Sequence, residues 1–171
     1  MNNEQEIKDC QEKLLDSVKT QLVEQYQLAF SDLLRENLES ETPDWGWVQR
    51  LHAELRDRIC NLTPNRVDIH VDIHDKMDSE IFYSMISHGS FDSVNLQALI
   101  NFVFTRIREL EAPAKNTITD EKLQEILELF QSENATIATI VPVFIQAANE
   151  RLDDVYNDKE IFMAFLAKQK K

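Results

Sequence analysis

Apolar residues recur at helical spacing along almost the whole chain, and the breaks between them mark where each helix begins and ends. From Glu4 to Glu39 there is neither glycine nor proline, and Leu14, Val18, Leu22, Tyr26, Phe30, Leu33, Leu34 and Leu38 keep a spacing of threes and fours. This predicts one amphipathic helix, about 50 Å long at 1.5 Å per residue. The spacing sustains no strict heptad, so the stripe is expected to lie on the rest of the chain rather than to form a dimer seam. Residues 1–41 are read as this long N-terminal helix, joined to the remainder through Ser40 to Thr42.

Thr42-Pro43-Asp44 then reads as a helix start, with a hydroxyl N-cap, proline at the first helical position and an acid in the first turn. The helix that follows carries Trp45, Val48, Leu51, Leu55, Ile59 and Leu62 on one face and stops at Thr63-Pro64. Asn65 to Met77 predicts a shorter helix with Val67, Ile69, Ile73 and Met77 inward. Asp78 caps the next helix, whose apolar face is Ile81, Phe82, Met85 and Ile86. Gly89, after His88, is placed where a left-handed residue ends that helix. Asp92 starts a long helix with a stripe of Leu96, Leu99, Val103, Ile107 and Leu110, broken at Ala112-Pro113. Residues 112–119 are expected to be a mobile connection before a helix that begins at Thr119 and turns Leu123, Ile126, Leu127 and Phe130 inward.

After Ser132 comes the most apolar stretch, Ala135 to Ile145, rich in β-branched residues but continuing at helical spacing through Ala147, Ala148, Leu152 and Val155. A buried helix is predicted, kinked at Pro142. Asn157, with Glu160 three residues on, is expected to cap a separate last helix bearing Ile161, Phe162, Phe165 and Leu166. The fold class is all-α: a single multi-helix domain, 1–171, of about eight helices. It comprises the long N-terminal helix, a middle section over 44–130 and C-terminal helices over 132–171.

Composition narrows the partners more than the fold. The chain has 171 residues, of which 43% are hydrophobic, so it can bury a core of its own. Eighteen basic against 31 acidic residues give a net charge of −13, which argues against nucleic acid and anionic membrane surfaces. The one basic run, Lys168 to Lys171, is short. Two cysteines, Cys10 and Cys60, match neither a disulfide framework nor a zinc spacing and fit a reducing compartment. Met1 is followed by polar residues rather than a secretory signal, and no apolar run approaches a membrane span. A cytoplasmic location is the expectation.

Candidate chemistry is sparse. His70 and His74 stand four apart on one predicted helix face, a spacing that can hold zinc. No HExxH glutamate follows His70 and no third ligand is apparent, so surface histidines are preferred. The two glycines, Gly46 and Gly89, form no phosphate-binding loop, and no catalytic triad is suggested. No cofactor and no enzymatic activity are expected.

Asp44-Trp45, Leu51, Glu54 to Asp57 and Leu62 to Arg66 resemble the opening of the T-complex protein 11 family domain. The similarity continues through Ile73, Met77 to Glu80, His88-Gly89, Phe91-Asp92 and Leu96, and ends at Leu110 to Asn116. It covers roughly residues 44–130 and leaves 1–41 outside. Family members usually show alanine-proline-valine-arginine-aspartate where this chain has Ala112 to Asn116, so the final acid is replaced. They are also usually longer, so the chain reads as a minimal or truncated member. The resemblance implies an all-helical, non-enzymatic protein linked to cyclic AMP-dependent kinase signalling and, in animals, to sperm function. Trp47, Asp57, Arg66, His88 and Lys115 are the residues proposed to meet a partner, with Arg66 beside Asp57 and Asp68 as a candidate buried ion pair.

The leading expectation is thus a helical interaction or scaffold module, monomeric or homodimeric, that binds another protein such as a signalling kinase component. The alternatives are a metal protein or enzyme built on His70 and His74, or a homo-oligomer built on the first helix.

Overall fold

A computed structural model describes residues 2–170. Among these there are seven α-helices, one 3-10 turn and no strand: α1 (Asn2–Glu39), α2 (Trp45–Asn61), α3 (Val67–Lys76), α4 (Ser79–Ser87), α5 (Ser93–Leu110), the turn Pro113–Lys115, α6 (Asn116–Leu129) and α7 (Ile137–Gln169). Helix α7 is the axis of the bundle and packs against α1, α2, α5 and α6, while α2 also carries α3 and α4. The fully buried centre joins Leu34 of α1, Leu55 and Ile59 of α2, Ile73 of α3, Ile100, Phe104 and Ile107 of α5, and Phe144 and Leu152 of α7.

The local stops and starts follow from single residues. Asp78 accepts the backbone N–H groups of Glu80 and Ile81, both at 3.0 Å. Asp92 and Asn95 exchange reciprocal bonds as a capping box. Gly89 takes φ +73°, and the Ser90 N–H donates to the Met85 carbonyl at 2.9 Å, closing a Schellman turn. Asp44, rather than Thr42, caps α2 by accepting the Trp47 N–H at 3.1 Å. The Asn37 side chain holds Asp44 in that role, accepting its N–H at 2.8 Å and donating to its carbonyl at 3.3 Å.

Three further expectations change. The C-terminal pair of helices is one: α7 runs unbroken past Asn157, because nothing between Ile137 and Gln169 terminates a helix except Pro142, which falls in its second turn. The count of about eight thus becomes seven. The connection after Pro113 is a tight turn leading straight into α6, held by the Lys115 N–H donating to the Ala112 carbonyl at 2.8 Å. Helix α1 does not lay its whole stripe on the core. Only Phe30, Leu34 and Leu38 do so, and residues 2–26 are exposed throughout.

Candidate interaction surface

On a helix advancing ~100° per residue, Ile7, Leu14 and Val18 lie within about 20° of the direction opposite Leu34. Helix α1 therefore has two apolar sides. One packs on the bundle through Phe30, whose ring meets Trp47 edge-on at 5.8 Å, and through Ser31, which donates to Gln146 of α7 at 2.6 Å. The other runs the length of the helix in solvent, with Leu14 67% and Leu22 60% exposed. Glu4–Lys8 and Asp9–Lys13 in this half stand at the i, i+4 spacing that favours helix.

Helix α7 repeats the theme. Phe162 and Leu166 lie within about 20° of Val155 on the helix wheel, so they continue its core-facing stripe. Val155 is buried, whereas Ile161, Phe162, Met163 and Phe165 are all more than half exposed. Along the α1–α7 seam, Asp32 and Arg35 border one cleft with Thr139 and Pro142, and Tyr26 and Gln27 border the next with Asn149 and Asp153. The two helices are antiparallel. Residues 2–26 and 159–170 therefore leave the bundle at the same end as two arms, each with an uncovered apolar face.

Behind the arms lies a polar cluster tying α5, α6 and α7 together. Glu111, almost completely buried, accepts from Arg151 at 2.9 Å and from the Thr119 hydroxyl at 2.7 Å. Arg151 also donates to Thr119 at 3.0 Å and reaches Asp154 at 3.1 Å. Lys115 bridges Asp154 at 2.9 Å and Asp158 at 3.0 Å. The Lys115 ammonium, followed by Arg151, holds the Asp154 carboxyl below the usual carboxylate range, and both aspartates raise Lys115 in return. With the Asn116 amide turned, its nitrogen donates to Glu111 at 2.9 Å and to the Arg108 carbonyl at 3.1 Å. Asn116, standing where the resemblance leads one to expect an acid, thus supplies the donor that a buried glutamate requires.

A second cluster sits between α2 and α4. The Arg56 guanidinium donates to the Ser79 hydroxyl at 3.1 Å, and Ser79 lies 2.8 Å from Nδ1 of His52, whose ring stacks on Phe82. Burial first and the Arg56 charge second lower His52 to about 4, against a smaller opposing pull from Asp78. The imidazole is therefore neutral at pH 7, with Nδ1 accepting the Ser79 proton.

The five residues expected to meet a partner occupy separate places, and no hydrogen bond or ion pair joins any two of them among the described residues. Trp47 is half-buried as the α1–α2 contact. Asp57 pairs with its neighbour Arg56 at 3.1 Å. Arg66 chelates Asp68 at 3.0 and 2.9 Å in full solvent, so the anticipated buried ion pair with Asp57 is not formed. His88, exposed, lies 2.7 Å from the Ser84 carbonyl at the end of α4. Lys115 is spent on α7. The histidine pair is likewise divided: Nε2 of His70 lies 2.8 Å from the Cys60 carbonyl and 2.7 Å from that of Thr63, closing the end of α2, while His74 is exposed. Among the described residues no group of three or more His, Cys, Asp or Glu is placed to hold a metal ion, and no helix is long and apolar enough to cross a membrane.

Local reading missed Glu111, Thr119 and Arg151, which lie up to forty residues apart. The available signal was an arginine in the middle of an otherwise apolar α7 face.

No solved structure matches the chain. The family model described as T-complex protein 11 matches residues 1–146, which extends the similarity through α1 and well beyond residue 130. Its span thus includes the exposed arm of α1, the Pro113–Lys115 turn and the first ten residues of α7. The chain belongs to the T-complex protein 11 family.

Proposed function

We propose that this protein is a non-enzymatic, cytoplasmic interaction module whose working surface is the pair of apolar arms on α1 and α7. The observation that carries this reading is that the arms, which leave the bundle at the same end, expose twelve large apolar side chains, from Ile7 to Tyr26 and from Ile161 to Leu166. Exposed apolar side chains concentrated in this way support a docking site on a folded protein. The amphipathic-helix form of both arms suits recognition of other helices. The five dispersed polar residues named from the sequence are secondary to it.

Affinity capture from native host cells tests the reading, with the intact chain set against a Leu22→Glu/Phe162→Glu variant. The expected outcome is a set of proteins lost in the variant, and the kinase-signalling link that the family resemblance implies predicts a cyclic AMP-dependent kinase component among them. Identical captured sets would overturn the assignment of the working surface to the arms.

A further inference from the structure

The outer side of α1 is free of charge from Gln11 to Ala29, a length of about 27 Å. Over that length, the positions within about 60° of those two residues on the helix wheel are five large apolar residues, two glutamines and one alanine. All eight are exposed. The middle of this face stands about 140° round from the buried Leu34, so the bundle lies behind it and a second helix can approach from the front. Ile7 and Leu33, both more than half exposed, continue the face at its two ends.

This face matches itself when the helix is reversed. In a second α1 running antiparallel, about a two-fold axis level with Thr20, residues equally far from Thr20 stand against one another. Val18 then meets Leu22, Leu14 meets Tyr26 and Ile7 meets Leu33, so large apolar groups face each other along the whole contact. Gln11 meets Ala29 and Leu15 meets Gln25, which sets no charge against an apolar group. The first charged residues in the same sector are Lys8 and Asp32, and the same operation makes them level and opposite in sign. Glu4 and Glu36 follow as like charges, where the pairing ends. A parallel pair would instead set Lys8 beside Lys8 and Asp32 beside Asp32.

From this self-matching, and resting on the reading of the arms as the docking surface, we infer that the occupant of the α1 face is the α1 of a second copy of this chain, antiparallel to the first. The contact is the same on both sides, as a two-fold interface requires. Each bundle lies on the outer side of the pair, at the opposite end from its partner's, so the two do not collide. Seven large apolar side chains at roughly 60–120 Å² each place on the order of 600 Å² of apolar surface per copy in the contact. That is the larger part of the ~800 Å² per partner of a standard interface. The α7 arm takes no part and stays open to a different protein.

The test is mass by light scattering and sedimentation on the purified chain at roughly 100 μM, well above a micromolar dissociation constant. The native chain is expected to be dimeric and Val18→Glu/Leu22→Glu monomeric, with unchanged helical circular dichroism. Phe162→Glu is expected to dimerise like the native chain. A spin label on Cys10, the exposed cysteine, reads the direction of the helices. An antiparallel pair about Thr20 holds the two labels roughly 30 Å apart, and a parallel pair about 20 Å or less. Lys8→Asp and Asp32→Lys are each expected to dimerise severalfold more weakly alone, and their mixture to recover a heterodimer in which both contacts again join opposite charges. A monomeric native chain overturns the inference while leaving the arm reading to the capture experiment, where the occupant would be a different protein. A short label distance, a Val18→Glu/Leu22→Glu chain that still dimerises, a Phe162→Glu chain that does not, or a mixture with no recovery overturns the antiparallel α1 pairing.

Discussion

In α7, Leu152 and Val155 are sealed among α1, α2, α5 and α6, while Phe162 and Leu166, seven and eleven residues beyond Val155 on the same face, stand in solvent. In α1 the contrast is between Leu34, fully buried, and Leu14, two-thirds exposed. Residue type does not separate these cases. The difference is what lies across from each helix: in the bundle four elements converge on α7, and in the arms none does. An apolar helical stripe therefore does not by itself say that a face is buried, and the topology decides which part of it is covered within the chain.

The contrast can be broken most sharply at the bundle's polar cluster. Arg151→Met strips the buried Glu111 of its cation and should cost about 3–5 kcal/mol in denaturant unfolding. Replacing Glu111 with Gln at the same time should recover part of that loss, because the uncompensated charge is gone.

His52 provides a pH test of the same packed region. Its folded value of about 4 lies below the ordinary 6.5, so the unfolded chain takes up the proton first. The stability from this group is whole above pH 6.5, falls as the pH drops toward 4, and over that window should decline by about 3 kcal/mol. His52→Asn keeps an acceptor for Ser79 and should flatten that part of the stability–pH curve.

Gly89 tests the backbone alone, since a Cβ there would meet no atom within 4 Å. Gly89→Val should cost roughly 1–2 kcal/mol purely from the left-handed φ, and an unchanged melting temperature would remove the Schellman turn from the explanation.

The arms anchor the small end of the scale. Leu14→Ser and Phe162→Ser, each measured at concentrations too low for association, should move stability by less than about 0.5 kcal/mol. A loss comparable to that of Arg151→Met would mean that the arms fold back onto the bundle.

Most helix boundaries were legible because their causes are local. Asp78, Asp92 and Gly89 act within four residues of themselves, and the structure puts each where its chemistry points. Asn157 misled for the same reason: Asn followed by Glu at the third position has the pattern of a capping box, but a cap needs the chain to turn there, and no glycine or proline follows to make it. The two sides of α1 were also present in the sequence, since Leu14 and Leu34 point in nearly opposite directions on the wheel. Reading all eight residues as one stripe concealed this. The Glu111–Arg151 cluster left only one local trace, the arginine in the apolar face of α7, because its members meet only once α5, α6 and α7 are packed.

Helix α1 is also a lever. Its fixed part, from Gln27 to Leu38, is about 18 Å long and its free part about 37 Å, a mechanical ratio near two. Whatever grips the tip by Ile7 loads first the contacts nearest the free part, the edge-on contact of Phe30 with Trp47 and the bond from Ser31 to Gln146. The first leads into α2 and the second into α7, so tilting one helix end would load both branches of the core together. A protein held by its arms would feel that hold at its centre.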